Sequence, residues 1–338
     1  MLEANAGFGQ RTEKVVWRRK ETKVGDCDLS IVLVIWHPGE ELLHCLRSLA
    51  QSRTQCPLKL ELILIDNGSD VFPVQQVHDF WPAAFVRQNQ KNLGFAGAAN
   101  MGAAAASGKV LLFLNPDTES VGDPFSPLLR GFSQFPNAVA LAPHLIPAQA
   151  GQEADESFQL RRLPSWGQAL RELLLYDKLF PNNRFFRRDR YLQQDRNSPF
   201  SVEQPAAAAL AVKREVFWGV GGFDERFFPA WFEDVDLCAR LLQQGEILFC
   251  PESRFIHRGG VAKEKLGYDQ FLPVYYRNAI RFWQKHRGSL SSLCYRGLVA
   301  LGMLLRLLAL PFRAAVPHNR TQALRAYFRT LRVALSPL

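Results

Sequence analysis

A chain of 338 residues, 47% hydrophobic and 22% charged, has ordinary globular composition and can bury one large core or two smaller ones. Its net charge of +9 implies an anionic partner, whether phosphate, nucleotide, acidic lipid or nucleic acid, without choosing among them. Six cysteines (Cys27, Cys45, Cys56, Cys238, Cys250, Cys294) form no C-x-x-C pair, which argues against a zinc site or disulfide framework and reads as reduced core thiols in a cytosolic protein.

Residues 1–27 hold no apolar run of signal-peptide length and read as a flexible basic leader. "LSIVLVIW" (29–36) is a continuous apolar run, as in a strand buried on both faces, and Pro38 and Gly39 break it. "EELLHCLRSLA" follows as a helix with Leu42, Leu46 and Leu49 on one face. "LELILID" (60–66) is a second buried strand and "AFVRQ" (84–88) a short third. A helix of small residues over 96–107 closes at Gly108, and "KVLLFL" (109–114) is the fourth strand. Asp123 and Pro124 open another helix, and "AVALAPHLI" is a further strand. Residues 149–200 predict loops and short helices. "EDVDLCARLLQQG" reads as a helix ended by Gly245, "EILFCPES" as a strand, and the chain from Phe271 as helices with clustered Arg.

This alternation predicts an α/β fold, with an open, mostly parallel sheet flanked by helices. Ligands of such sheets bind beyond the carboxyl ends of the strands. "WHPG", "DNGSD" and "NPDT" all fall there.

In "LNPDT", Pro116 fixes the backbone and Asp117 can be a ligand for a hard divalent cation, or the segment can be a plain Pro-Asp turn. Glu233, Asp234 and Asp236 open a helix beside Phe227, Phe228, Trp231 and Phe232. Complementing the helix dipole accounts for one or two of these acids. Carboxylates desolvated by aromatics also suit proton abstraction. His257 follows the next strand, where a third metal ligand becomes credible beside Asp117 and the carboxylate helix. The glycines Gly94, Gly97 and Gly102 do not make a dinucleotide fingerprint, because the first strand-to-helix turn carries "WHPGEE". Tight packing accounts for the alanines of that helix and less well for Asn92 and Asn100.

Taken together, "IVLVIWHPGEELLHCLRSL", "LILIDNGSD", "NLGFAGAANMG", "LLFLNPDT", "VGGFDERFFPAWFEDVDLCARLLQQG" and "FIHRGG" resemble, in order, a family 2 glycosyltransferase, most closely its bacterial rhamnosyltransferase-type branch. The resemblance covers roughly residues 28–260. It implies a GT-A fold and inverting transfer from a nucleotide-diphosphate sugar with Mg²⁺ or Mn²⁺. Asp66 then binds the nucleotide base, Asn92, Gly94 and Asn115 line the nucleotide-sugar pocket, and Asp117 with His257 holds the metal and diphosphate. Asp234 is the catalytic base, with Trp231 and Glu233 on the acceptor side. The expected partners are a dTDP-rhamnose or UDP-sugar donor and a saccharide or polyprenyl-diphosphate-linked acceptor. Trp36-His37, Ala98-Ala99 and Ala207 depart from the usual Tyr-Asn, Gly-Asn and glycine of the family.

The expected organisation is a leader (1–27), a GT-A domain (28–288) and C-terminal amphipathic helices (289–338). No run of 18 uncharged apolar residues occurs, and the nearest, 298–310, is interrupted by Arg306. Arg325, Arg329 and Arg332 share a helical face, which suits either an anionic membrane surface or solvent. The expectation is a cytoplasmic enzyme, peripheral at the inner face of a membrane. A non-catalytic sugar-nucleotide binder is the first rival. Nucleic acid binding is not expected, since the basic residues are dispersed and no recognition motif is present.

Overall fold

The computed structural model describes residues 27–148, 159–181, 183–259, 266–312 and 319–336. Apart from Cys27, the expected leader lies outside them, as does the stretch 149–158 of the expected loop region. In chain order the elements begin β1 (Leu29–Ile35), α1 (Glu40–Gln55), β2 (Leu60–Asp66), α2 (Val74–Phe80), β3 (Phe85–Gln88), α3 (Gly94–Ala105) and β4 (Val110–Leu114). Next come β5 (Thr118–Ser120), α4 (Phe125–Gln134), β6 (Ala138–Pro147), β7 (Leu160–Arg161), α5 (Trp166–Leu173), α6 (Tyr176–Leu179) and α7 (Arg184–Asp189). The chain then runs through β8 (Gln204–Pro205), β9 (Ala209–Lys213), α8 (Arg214–Gly219), α9 (Glu233–Leu241), β10 (Glu246–His257), α10 (Tyr268–Ala309) and α11 (Arg320–Leu335).

The apolar runs of β1, β2 and β4 bury side chains on both faces because helices cover both. Leu29, Ile31, Leu33 and Ile35 face a core shared with α1, α2 and α4, while Val32 faces another shared with α3, α8 and α9. The main sheet runs β3-β2-β1-β4-β9-β6-β10-β5. Its pairings are parallel except those of β9 with β4 and β6, and of β5 with β10. The fold is therefore mixed and mostly parallel. The antiparallel β9 sits in mid-sheet with Ala209 opposite Leu114, so its entry segment, Ala207-Ala208, lies at the strand edge where β4 ends. The strand expected as "EILFCPES" extends across an irregularity to His257, which pairs opposite Thr118.

The small residues of α3 are a packing requirement. A Cβ on Gly102 would lie 2.5 Å from Cγ1 of Val32. Ala98 and Ala99 are fully buried in the same layer.

A third core joins α5, α10 and α11 to Phe227, Phe232 and Val235. Within α10 the backbone leaves helical geometry at Gly288 (φ 84°), and Trp283 stacks on Tyr295 across the break at 4.9 Å. The six cysteines are unpaired, and Cys294 is exposed, unlike the buried thiols expected. Burial pushes the Cys45 thiol up to about 12, which keeps it inert at neutral pH.

Candidate active site

At the end of β2, Asp66 is buried. Its Oδ1 accepts from the Ser69 amide (3.2 Å) and hydroxyl (2.5 Å), and among the described residues its Oδ2 has a long contact to Gln88 Nε2 at 3.4 Å. The next residue, Asn67, makes the cross-links. Its Nδ2 donates to Asn92 Oδ1 (3.0 Å) and to the Gly94 carbonyl (3.1 Å), and its Oδ1 accepts from the Leu93 amide (2.9 Å). Asn92 Oδ1 also accepts from the Gly94 amide at 2.7 Å. The amide side chains that packing alone did not explain thus fasten the loop before α3 to the end of β2. Asn100 does the same for the Gly222-Phe223 turn, bonding Phe223 through both its amide and its carbonyl at 2.9 Å.

Gly94 stands at φ 76°, where a Cβ would meet the Phe228 ring at 2.9 Å and the Pro229 carbonyl at 3.0 Å. The Phe95 amide donates to that carbonyl at 2.7 Å. The start of α3 and the loop entering α9 are therefore in direct contact, and only glycine fits between them.

Asp117 is buried just past β4, and its Oδ1 has no hydrogen-bond partner among the described residues. His257 Nε2 faces that oxygen at 3.4 Å, brought there by the antiparallel pairing of β5 with β10. An orphaned carboxylate oxygen beside an imidazole nitrogen fits a hard divalent cation, whose other ligands come from phosphate and water. Among the described residues no three His, Cys, Asp or Glu side chains gather, so the acids of α9 do not join this pair.

Trp231 (φ 70°) and Phe232 (φ 74°) are consecutive left-handed residues immediately before α9, each costing about 1–3 kcal/mol. Asn278, fully buried on α10, holds this turn. Its Nδ2 donates to the carbonyls of Ala230 (2.9 Å) and Trp231 (3.1 Å), with a longer contact to that of Phe228. Trp231 packs edge-on against Phe271, and Phe232 against Tyr275.

The three acids of α9 separate into three environments. Asp236 is fully buried, which would raise its carboxyl. However, His286 (2.7 Å), Arg240 and Lys285 hold it below the usual range, so it is a structural ion-pair centre. Glu233 is buried, one of its oxygens lacks a partner among the described residues, and burial followed by the neighbouring Asp234 charge pushes its carboxyl well up. Asp234 is partly exposed. Its Oδ1 accepts from the Val235 amide at 2.8 Å, while its Oδ2 lies 3.5 Å from both the Ala207 amide and Gln204 Nε2.

The segment Ala207-Ala208 joins the two halves. The Asn115 amide donates to the Ala208 carbonyl at 2.9 Å, so the Asn115-Pro116-Asp117 turn is fixed to the residue next to the one whose amide faces Asp234. Of the sequence-predicted residues, Asp66, Asn115, Asp117 and His257 lie at or just past strand ends, Asn92 and Gly94 lead into α3, and Asp234, in the first turn of α9, reaches them through Ala207-Ala208. Sequence reasoning missed Asn67 and Asn278. Asn67 stood inside "DNGSD", whereas Asn278 lies in an Arg-rich amphipathic helix with no local cue.

Comparison with known proteins bears on this geometry. The family model described as "Glycosyl transferase family 2" matches residues 30–201. An N-acetylglucosaminyl-diphospho-decaprenol L-rhamnosyltransferase of Mycobacterium tuberculosis is 30% identical over 244 residues, covering 68% of this chain and 75% of the relative. The mannosyltransferase PcManGT from Pyrobaculum calidifontis, solved with GDP-Man and Mn²⁺, shares the fold with TM-score 0.53 at 12% identity, covering 94% of this chain and 90% of that one. A structure of GalNAc-T7 with UDP, GalNAc and Mn²⁺ gives TM-score 0.52 at 20% identity; it is matched by 75% of this chain, which spans only 47% of its length.

Proposed function

The chain belongs to glycosyl transferase family 2 and is a glycosyltransferase, and from that premise we propose an inverting transfer of a sugar from a nucleotide-diphosphate donor to a hydroxyl of a lipid-linked saccharide. The observation that carries the reading is the division of labour around Ala207-Ala208. One carboxylate, Asp117, has an orphaned oxygen beside His257, and another, Asp234, is partly open to solvent with its Oδ2 3.5 Å from the Ala207 amide.

Asp117 and His257 would hold a divalent cation, Mg²⁺ or Mn²⁺, which when bound would supply positive charge at the leaving diphosphate. Asp234 takes the proton of the acceptor hydroxyl as its oxygen attacks the anomeric carbon. The bond from that carbon to the diphosphate oxygen breaks, and the nucleoside diphosphate leaves. Burial, and after it the Asp234 charge, pushes the Glu233 carboxyl well up and so favours its protonated form, which sets it apart from Asp234 as a base. Asn92 and Gly94 border the donor side, Asp66 and the Asn67 cross-links shape the base pocket, and Trp231 stands on the acceptor side.

The M. tuberculosis relative supports L-rhamnose as the donor sugar and a polyprenyl-diphosphate-linked acceptor. With such an acceptor the reaction belongs on the cytosolic face of the cell membrane. The test is release of nucleoside diphosphate from a panel including dTDP-rhamnose and UDP-sugars with Mn²⁺, with and without acceptor. Release that Asp234→Asn abolishes supports the assignment. Donor binding without release under every condition overturns it in favour of a non-catalytic binder.

A further inference from the structure

From Gln270 to Leu338 the chain contains 11 Lys and Arg and no Asp or Glu, leaving 30 basic and 32 acidic residues in all the rest. The net positive charge therefore belongs to this C-terminal stretch of the sequence. Their outer side is also apolar. In the half of α10 after Gly288, Leu290 (76% exposed), Leu293 (63%), Leu301 (48%), Leu304 (46%) and Leu308 (71%) face away from the protein. At 3.6 residues per turn these five fall within an arc of about 80°. Tyr295, Val299, Met303 and Arg306 are buried on the opposite side. Arg306 is fixed there, donating to the carbonyls of Leu173 (2.9 Å) and Glu172 (3.0 Å).

On α11, which pairs with this segment, Leu324, Phe328 and Leu335 are exposed beside exposed Arg325 and Arg332. Arg287, also exposed, lies just before the Gly288 break. By length and composition Tyr268–Ala309 is apolar enough to cross a membrane. Gly288 breaks it, however, and its inner face is committed to the protein core, so only one stripe is available to lipid.

We propose that this face docks flat on an anionic lipid bilayer, with the leucine stripe at the acyl boundary and the arginines among the headgroups. A second copy of the chain would bring two wholly basic faces together, and nucleic acid would leave the leucines uncovered. The same helix carries the consequence to the active site. Its first half packs on Trp231 and Phe232, 4.7 and 5.1 Å between ring centroids, so the docking face and the acceptor-side turn are borne by two helical segments joined at Gly288. This last step rests on the transferase reading above; the docking face does not.

The test is vesicle flotation of the full chain with phosphatidylcholine alone and with one-third phosphatidylglycerol, alongside donor hydrolysis in solution. Wild type should partition on the order of ten-fold or more in favour of anionic vesicles. The triple variant Leu301→Gln, Leu304→Gln, Leu308→Gln and the pair Arg325→Glu, Arg332→Glu should each lose roughly ten-fold or more, with hydrolysis kept. Equal binding to both vesicle types, or variants that bind as wild type does, overturns the proposal. So does a lipid-free dimer in sedimentation velocity that the leucine variant converts to monomer. Intact vesicle binding with no hydrolysis by any sample overturns the transferase reading alone.

Discussion

Glu233 and Asp234 are adjacent carboxyls with opposite duties, and replacing each by its amide separates them. Burial first, and the Asp234 charge second, raise Glu233 well above its usual 4.5. In the unfolded chain Glu233 ionises near that usual value, whereas in the folded protein it stays neutral to higher pH. Its contribution is therefore fully present below pH 4.5 and is lost as pH rises toward the folded value, at about 1.4 kcal/mol per pH unit. Glu233→Gln resembles the neutral acid and lacks this slope. The variant should gain on wild type by roughly 3 °C in Tm per pH unit from pH 5 until the folded value is passed, given about 2 °C per kcal/mol for a chain of this size. Its turnover should change only a few-fold. Asp234→Asn keeps the Val235 amide bond through its oxygen but turns an amide NH₂ toward the Ala207 amide and Gln204 Nε2, a mismatch of about 1 kcal/mol. Its single-turnover rate should fall roughly 100-fold or more with donor affinity unchanged, as for a missing general base. The assay pairs melts from pH 5 to 8 with donor calorimetry and single-turnover kinetics. A pH-independent Tm difference for Glu233→Gln refutes the raised carboxyl. A dead Glu233→Gln beside an active Asp234→Asn refutes the choice of base.

Asp117→Ala should abolish transfer and remove the Mn²⁺ enhancement of nucleoside diphosphate binding, read by calorimetry with and without metal; full enhancement in the variant would leave Asp117 a turn residue. His257→Ala should lose activity while melting close to wild type, since its ring is not in the core; an unfolded protein at room temperature would contradict this. Asn278→Leu strands two buried carbonyls at about 1–3 kcal/mol each and should lower turnover more than donor affinity, because the turn aiming Asp234 loosens; unchanged turnover in the folded variant would remove its positioning role. Gly102→Ala should destabilise by about 1–3 kcal/mol through overlap with Val32, checked by denaturant melts.

The apolar runs at 29–36, 60–66 and 109–114 by themselves determined a sheet buried on both faces, because only helices on each side can cover such strands. Turn chemistry at Asn-Gly-Ser-Asp and Asn-Pro-Asp likewise placed the ligand-bearing edge, since Pro and Gly act on their immediate backbone wherever the strand lies. Pairings across long separations were decided by tertiary structure. The antiparallel insertion of β9 brings Ala207 between Asn115 and Asp234, and the β5–β10 register sets His257 beside Asp117. Neither follows from a local period, since strand direction and register depend on which partners the whole core selects. The raised carboxyl of Glu233 against the ion pairing of Asp236 is of the same kind. The two acids are three residues apart with equal claim on the helix dipole, and only the groups packed around each one, burial and the Asp234 charge in one case and His286, Lys285 and Arg240 in the other, shift them in opposite directions. Asn278 completes the contrast. A buried amide in a helix is recognisable only once the three carbonyls it faces have been brought in from 47 to 50 residues away.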